Sequence, residues 1–224
     1  MIPKGQKYRV DFPRFGLNAY ATRFPSKPEA RAISIRINEK DTIEISTALD
    51  DLPRTALLAD FHCVTTWSYP NAKWEGVKFK DFFQKHIQPN DSEEQQIEGA
   101  VFYAQDGYRT SLLLEDLLKD NVLLADSFDG QPLSIEHGAP LRLVAPDHYG
   151  YKNLKHLSRI EFYSNLPTIK RGISAFLDHP RARVAKEERG RWIFGWILRY
   201  VYRSLIPSTV EKFQKAMAKH QTSN

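Results

Sequence analysis

Cys63 is the only thiol in the 224-residue chain, and it lies in the stretch "FHCVTTWSYP". On composition alone, such a residue is most often a small buried hydrophobic side chain. The chemical alternatives are a nucleophile, which needs a base and an oxyanion site, or a single thiolate ligand for a metal. His62 is adjacent, but neighbouring side chains on an extended chain point to opposite faces. Zinc would need more thiolates or spaced histidines. The position just after an apolar strand favours a functional role.

The stretch "HGAPLRLVAPDHYGYKNLKHL", which begins at His137, is the second candidate for chemistry. A Gly-Ala-Pro turn leads into a strand that carries Arg142, and a loop with Gly150 then leads to Lys152 and Lys155. Basic side chains and backbone N–H groups around a glycine-containing loop can hold a phosphate. The alternative is a solvated basic face after a hairpin.

Strands with short helices between them must position these two stretches. Alternating or continuous apolar runs predict strands at residues 30–37, 42–46, 56–61, 99–104, 141–146 and 158–163, with a hairpin partner in "RTSLLL" and an extended "NVLLADSF". Helical patterns are visible in "KFKDFFQKHI" and "LEDLLKD", and "TALDDLP" is typical of a helical turn capped by Thr47. The pattern predicts a mixed, strand-rich α+β domain over residues 1–170.

The last part of the chain is predicted to be a helical extension, residues 171–224, packed on or beside that domain. "RGRWIFGWILRYVYRSLI" has the pattern of a helix. After Pro207, Ser208 and Glu211 form a capping-box pattern that predicts a separate last helix, with Val210, Phe213 and Met217 on one side.

Composition limits the function classes without choosing among them. The net charge of +5 suits an anionic ligand, a nucleic acid or an acidic partner, but no known base-stacking motif is present, so we predict no nucleic acid partner. A single cysteine excludes an internal disulfide framework. The N-terminus lacks the pattern of a secretory signal, and no apolar run approaches the roughly 20 residues that cross a bilayer. We therefore predict a cytoplasmic protein without a transmembrane segment.

Taken together, the two stretches resemble the sulfite-oxidase-fold molybdopterin oxidoreductases. In that family a cysteine in a "C-V-x-x-W"-like loop binds molybdenum, and this chain has "HCVTTW". The family also has "[HN]-G-x-P-x-R-x-x-x-P" followed by "G-[FY]-K-x-x-K", and this chain has "HGAPLRLVAP" and then "GYKNLKHL". The paired motifs are far more specific than either motif alone. The resemblance implies a sulfite-oxidase-like, molybdopterin-binding fold with C-terminal helices.

The resemblance also implies the cofactor and its ligands. The metal is molybdenum, held by the dithiolene sulfurs of a pterin that ends in a phosphate, and Cys63 would be both the protein's metal ligand and the catalytic residue. Soft sulfur donors suit such a metal. The implied cofactor-binding residues are Arg14, Phe15, Asn18, His62, Cys63, Ala104, His137, Arg142, Gly150, Tyr151, Lys152 and Lys155.

The residues after the cysteine point to a branch of the family. Val64, Thr65, Thr66 and Trp67 are similar to the bacterial methionine-sulfoxide-reductase branch, whereas sulfite oxidases have a polar, arginine-containing run there. The resemblance thus implies two-electron oxygen-atom transfer on a small molecule, with reduction of an S-oxide or N-oxide favoured and sulfite oxidation as the alternative. No C-x-x-C-H haem motif is present, so a separate electron-transfer partner is implied. A thiol hydrolase or thiol-redox protein, and a basic binding module, remain competing hypotheses.

Residues 191–206 carry arginines at every fourth position from Arg191, broken by Gly195, among aromatic and aliphatic residues. A helix this apolar must bury most of its surface. It is predicted to pack on its own domain, or to dock on a redox partner or a membrane surface, rather than to span a membrane.

Overall fold

The computed structural model describes residues 2–29, 32–38, 43–45, 49–90, 96–169 and 179–223. Within these ranges the strands are β1 Lys7–Tyr8, β2 Ile33–Ile37, β3 Ile43–Ile45, β4 Arg54–His62, β5 Trp67–Lys78, β6 Gly99–Ala104, β7 Arg109–Leu113, β8 Leu123–Phe128, β9 Gln131–Pro132, β10 Arg142–Val144 and β11 Leu157–Tyr163. The α-helices are α1 Phe79–His86, α2 Leu114–Leu117 and α3 Gly195–Ser223, and short 3-10 turns span Asn18–Tyr20 and Gln88–Asn90.

The strands form two mixed sheets, which confirms the predicted α+β class. In the first sheet β5 pairs with β4 along one edge and with β1 and β8 along the other, while β8 also pairs with β10 and β9. The second sheet has the order β3-β2-β11-β6-β7. The pairs β1–β5 and β2–β11 are parallel and the others are antiparallel. The first sheet carries the Cys63 turn at the end of β4.

Strand β5, the longest among the described residues, was not predicted from the sequence. Pro70 and Asn71 interrupt its apolar pattern, and proline is depleted in strands because it cannot donate to the ladder. The structure accommodates Pro70 where the register of β4 against β5 shifts, between Ala59 and Phe61. A bulge leaves a residue unpaired at such a point, so the missing N–H of Pro70 costs the sheet little. The helix predicted in "KFKDFFQKHI" is confirmed as α1, which directly follows β5.

The main hydrophobic core lies between the two sheets and α1. Phe79, Phe82 and Phe83 are buried at helical spacing on α1, and they pack with Phe102 and Phe162 of the second sheet. Buried residues of the first sheet, Val77, Leu124 and Leu143, complete the same cluster. Removing apolar surface from water stabilises a fold by about 25 cal/mol per Å², so this shared core fixes the two sheets relative to each other.

The C-terminal region corrects one prediction: the two predicted helices are a single helix, α3, with Pro207 inside it. Ser208 does not cap a new helix, because its hydroxyl donates to the carbonyl oxygen of Leu205 at 3.2 Å. Glu211 pairs with Lys215 instead of completing a capping box. A proline removes one helical hydrogen bond. Here buried side chains on both sides of Pro207, from Tyr202 to Phe213, hold both halves of the helix on the domain.

Three further local predictions concern the buried face of the last helix, the turn at Thr47 and the strand at residues 30–37. The predicted faces of the last helix are partly correct, since Phe213 is buried while Val210 and Met217 are half-buried. The helical turn predicted to begin at Thr47 falls partly outside the described residues. So does the start of the strand predicted at residues 30–37, of which the structure describes Ile33–Ile37 as β2.

Candidate active site

Cys63 begins a four-residue turn that joins β4 to β5, the two longest strands of the first sheet. Its backbone N–H donates to the carbonyl oxygen of Trp67 at 2.8 Å, and the N–H of Thr66 donates back to the carbonyl oxygen of Cys63 at 3.2 Å. Thr66 has a positive φ of 78°, a left-handed conformation that tight turns require. The hairpin thus holds the thiol at a fixed point on the end of a sheet.

The thiol of Cys63 is buried, with 7% of the residue exposed. Burial raises its pKa, and a hydrogen bond from Thr65 and the charges of Arg189 and Lys155 lower it in part. The thiol and the Thr65 hydroxyl lie 3.1 Å apart. A buried thiol with a raised pKa is a poor free nucleophile at neutral pH, whereas a bound cation would favour the thiolate.

His62 does not act as a base toward Cys63, because its ring is engaged elsewhere. The Nδ1 atom lies 2.8 Å from the hydroxyl of Ser68, and that hydroxyl donates to Oε1 of Gln6 at 3.2 Å. Nδ1 is therefore the donor of this pair. Gln6 in turn donates to the carbonyl oxygen of Cys63 at 3.1 Å. This chain of hydrogen bonds supports the backbone of the Cys63 turn. It does not place the His62 ring as a base for the Cys63 thiol.

The C-terminal region holds the same turn from the other side. Arg189, which is fully buried, donates to the carbonyl oxygen of Val64 at 2.6 Å, and it also donates to Glu187. Glu187 is paired as well with Arg199 of α3, and Nε of Arg203 lies 3.4 Å from the hydroxyl of Thr66. Residues far apart in sequence therefore fix the turn, and only the structure brings them together.

A cavity of about 290 Å³ opens over Cys63. Its walls come from the N-terminal segment, the Cys63 turn, the β6–β7 turn, the loop after β10 and one face of α3. The lining residues are Phe12, Pro13, Arg14, Phe15, Gly16, Leu17, Asn18, Tyr20, Phe61, Cys63, Val64, Thr65, Trp67, Asp106, Tyr108, Gly150, Tyr151, Asn153, Leu154, Lys155, His156, Tyr202, Leu205, Thr209 and Phe213.

Seven of the predicted site residues line this cavity together: Arg14, Phe15, Asn18, Cys63, Gly150, Tyr151 and Lys155. Gly150 shows why the loop needs a glycine. A Cβ added there would lie 2.3 Å from the ring of Phe61, so the ring packs directly on the backbone. The N–H of Gly150 donates to the carbonyl oxygen of His62 at 2.8 Å. This contact ties the loop after β10 to the base of the Cys63 turn.

Three other predicted residues do not line the cavity. His62 supports the turn as described above. Ala104 is buried in β6, where its N–H donates to the carbonyl oxygen of Tyr108 at 2.8 Å. The amine of Lys152 donates to the carbonyl oxygen of Ser111 at 2.7 Å, which directs it toward the second sheet. Direct contact of these three residues with a cofactor remains a prediction that the geometry does not support.

His137 and Arg142 also lie behind the cavity wall rather than on it. The guanidinium of Arg142 is buried over the ring of Trp74 and donates to the carbonyl oxygen of His137 at 2.6 Å. Burial lowers the pKa of Arg142 to about 9. Burial, and then the charges of Lys155 and Arg142, lower the pKa of His137 to about 4. His137 is therefore neutral at pH 7, and its Nε2–H donates to the carbonyl oxygen of Phe12 at 3.3 Å.

The cavity is lined by two cations, Arg14 and Lys155, close to the buried Arg142. Burial, followed by the charges of Arg142 and Arg14, lowers the pKa of Lys155 to about 7. The amine donates to the carbonyl oxygen of Glu136 at 2.6 Å. Asp106 is the acid of the lining, and burial raises its pKa. Mutually repelling cations in a desolvated pocket are stabilised by a bound anion, so this corner of the cavity fits a phosphate.

The metal-binding capacity of the chain's own side chains is small. Within the described ranges, no group of three or more His, Cys, Asp and Glu residues could hold a metal ion. A metal at Cys63 would therefore take its other donors from a cofactor. One thiolate beside the sulfurs of a dithiolene is a donor set that suits a soft metal. The residues present thus fit a molybdopterin, whose metal would bind Cys63 and whose phosphate would lie toward Lys155 and Arg14.

Several lining residues were not predicted from the sequence. Asn153 and His156 lie inside the quoted "GYKNLKH" stretch, and Asn153 bonds the backbone of Ala145 and His148. The α3 residues Tyr202 and Phe213 carry only a helical pattern in the sequence, which does not show what the helix covers. Within the described ranges, α3 and the other helices are not long and apolar enough to cross a membrane.

Comparisons with known proteins show the family of this chain. The family model described as "Oxidoreductase molybdopterin binding domain" matches residues 22–168. The oxidoreductase YuiH of Bacillus subtilis is 37% identical over 110 residues, which is 49% of this chain and 53% of YuiH. The protein-methionine-sulfoxide reductase catalytic subunit MsrP of Xanthomonas campestris is 23% identical over 184 residues, covering 72% of this chain and 57% of MsrP.

Two further matches are a sulfite oxidase and a solved structure. Mitochondrial sulfite oxidase of Drosophila melanogaster is 34% identical over 94 residues, 40% of this chain and 16% of that protein. The sulfane dehydrogenase SoxCD from Paracoccus pantotrophus superposes with a TM-score of 0.54 at 20% identity, covering 68% of this chain and 43% of that chain. This likeness concerns the fold.

The chain spans about half the length of the first curated relatives it matches. The family model, in contrast, covers most of the chain, and it matches the region that contains Cys63 and the loop after β10. The chain therefore belongs to the oxidoreductase molybdopterin binding domain family, which confirms the predicted enzyme class and the molybdenum–molybdopterin cofactor.

Proposed function

We propose that this chain reduces a neutral S-oxide or N-oxide with two electrons supplied by a separate redox partner. For a sulfoxide, the S–O bond breaks and two electrons and two protons are consumed, giving a thioether and water. The single observation that carries the proposal is the wall over Cys63. Next to the two tethered cations, most of this wall is apolar and includes the side chains of Val64, Phe15 and Leu205.

The residues that would hold the cofactor follow from the cavity. When bound, the molybdopterin supplies the redox-active metal and its sulfur donors. Cys63 would provide the protein's thiolate, while Lys155 and Arg14 would neutralise the phosphate. The packing of Phe61 on the backbone of Gly150 would hold the loop after β10 beside the pterin. His137 and Arg142 would position this loop without touching the cofactor.

The charge distribution favours a neutral substrate. Arg14 donates to the carbonyl oxygens of Ala21 and Arg23, both at 2.6 Å, and its guanidinium stacks on Phe24 at 4.3 Å. Lys155 is tied to Glu136. Among the described residues of the Cys63 turn, Val64 and Thr65 supply no charge. An anion as small as sulfite favours a cationic pocket, and the two cations here are the ones assigned to the cofactor's phosphate.

The relatives support the same choice. MsrP bears the name of a protein-methionine-sulfoxide reductase catalytic subunit, which is consistent with sulfoxide reduction and with an electron-supplying partner. Sulfite oxidation is the second candidate, because the Drosophila relative is a sulfite oxidase and because Arg14 and Lys155 line the cavity.

Steady-state assays on the molybdenum-loaded protein test the proposal. Dimethyl sulfoxide, methionine sulfoxide and trimethylamine N-oxide would be assayed with a reduced viologen dye, and sulfite with an oxidised acceptor. We expect turnover with at least one oxide and little with sulfite, and none in Cys63→Ser. Efficient sulfite oxidation with no oxide reduction would refute the proposal and favour the second candidate.

A further inference from the structure

An exposed aromatic surface lies at the start of α3. Seven of the twelve large exposed hydrophobic side chains in the described ranges belong to residues 192–205. The most prominent, which we call the aromatic face, are Trp192, Phe194, Trp196, Tyr200 and Val201, with exposed fractions between 53% and 78%. Isolated exposed hydrophobic residues are normal, but a contiguous group of this kind marks an interaction surface.

The aromatic face is not needed for packing within the described part of the chain. On α3 the residues that pack on the domain, Leu198 and Tyr202 and further on Thr209 and Phe213, are buried and follow helical spacing. Trp196 and Tyr200 are also one turn apart, but they lie on a different side of the helix and remain exposed. The helix is therefore apolar on two sides, and only one of them contacts its own domain.

The charges around the aromatic face are positive. Lys186 and Arg191 line a shallow depression together with Trp192 and Phe194, and Arg203 is exposed one helical turn beyond Arg199. The two acids of the same depression, Glu187 and Glu188, are paired with arginines: Glu187 with Arg199 and Arg189, and Glu188 with Arg183. Within the described ranges, Lys186 and Arg191 have no ion-pair partner. The surface thus combines aromatic side chains with cations that are not neutralised.

We infer that the aromatic face docks the enzyme on the surface of an anionic lipid bilayer. Tryptophan and tyrosine favour the boundary between headgroups and acyl chains, and lysine and arginine beside them are attracted to anionic lipid. A second copy of this chain is a less suitable occupant, because a symmetric contact through this face would bring Lys186 and Arg191 toward their own copies. The helix lies along the bilayer and does not cross it.

Binding to vesicles tests this inference on the intact, molybdenum-loaded protein. Co-sedimentation would be measured with vesicles of phosphatidylcholine alone and of phosphatidylcholine mixed with phosphatidylglycerol. We expect binding to the anionic vesicles that weakens as the salt concentration rises. The double variant Trp196→Ser, Tyr200→Ser should bind about tenfold or more weakly. The control double variant Val10→Ser, Leu58→Ser removes exposed apolar side chains elsewhere, with exposed fractions of 100% and 60%, and should bind like the wild type.

A charge variant and a fluorescence measurement complete the test. Arg191→Glu should weaken binding, while Lys212→Glu, which makes the same charge change at an exposed position on the far half of α3, should weaken it less. Trp67 and Trp74 are buried and the other two tryptophans belong to the aromatic face, so brominated phosphatidylglycerol should quench only the exposed pair. The quenching reports where the protein meets the lipid.

Three results would overturn the inference. Equal binding to neutral and anionic vesicles would contradict the role of the cations. Equal binding by the wild type and the Trp196, Tyr200 double variant would contradict the role of the aromatic face. Failure to bind any vesicle would exclude the membrane, and a concentration-dependent dimer that the double variant abolishes would then show that a second copy covers the face.

Discussion

Replacing Lys155 by methionine should stabilise the cofactor-free protein at neutral pH while weakening its hold on the cofactor. In the folded protein the pKa of Lys155 is about 7, compared with an ordinary value of 10.5. Below pH 7 the amine is charged in the folded and the unfolded state, and the whole destabilisation is present. Between about pH 7 and pH 10.5 the unfolded state binds more protons, so the free energy of unfolding rises with pH.

The size of the effect follows from the two pKa values. Each tenfold difference in proton affinity is worth about 1.4 kcal/mol, which gives roughly 4–5 kcal/mol as an upper limit. Lys155 is only partly buried, and solvent near the amine reduces this energy, so we expect about 2 kcal/mol. Methionine keeps most of the apolar stem and removes the charge, and it should therefore recover about that amount at pH 7 and below.

Denaturant unfolding of the cofactor-free protein, from a host that cannot make molybdopterin, measures this effect at a series of pH values. The wild type should gain stability from pH 7 to pH 10, and Lys155→Met should show a flatter profile. Lys73→Met, at an exposed position of β5, is the matched control and should follow the wild type. In cofactor-producing cells, Lys155→Met should lose molybdopterin during dialysis. Parallel pH profiles for the wild type and Lys155→Met would refute the reasoning.

Three further outcomes test the site. Cys63→Ser should lose turnover and keep its fold, because a hydroxyl is a poor donor to a soft metal; metal analysis and circular dichroism check this. Gly150→Ala should cost about 1–3 kcal/mol, because the added Cβ meets the ring of Phe61 at 2.3 Å, and Phe61→Leu in the same chain should restore part of the loss in a thermal melt. Arg189→Met removes the hydrogen bond to Val64 in the Cys63 turn and should lower the free energy of unfolding by about 1–3 kcal/mol. Turnover should fall more than cofactor content, and unchanged turnover would contradict the role of Arg189.

The sequence could predict a candidate site because the two motifs are local. Cys63 follows an apolar strand, and the loop after β10 keeps its glycine and lysine within a few residues of each other. The direction of a side chain is a different matter. Arg142 lies on β10, and which face it takes depends on the pairing of β10 with β8 at Ala125. The sequence does not contain that pairing, so Arg142 was predicted to touch the cofactor and instead lies behind the wall.

Contacts between residues far apart in the chain could not be predicted from the sequence either. Strand β5 was not predicted because it contains Pro70. The bulge that tolerates this proline forms only when β5 pairs with β4. Arg189 and Val64 are in contact although they are 125 residues apart in the sequence, and no local sequence pattern predicts such a contact. In α3 the helical periodicity was visible, yet a capping pattern at Ser208 suggested a break that packing on the domain overrides.

One wall of the cavity comes from α3, which lies outside the part of the chain that matches the family model. Tyr202, Leu205, Thr209 and Phe213 line the cavity, but they lie beyond the stretch that matches the family model. Mutations at these four positions can therefore reshape the cavity wall without changing a residue of the motifs around Cys63. A chimaera that keeps residues 1–194, and with them the contact of Arg189 with Val64, and receives α3 from a relative would exchange one wall of the cavity in a single crossover. Such an exchange is a route by which one cofactor domain can be given another substrate.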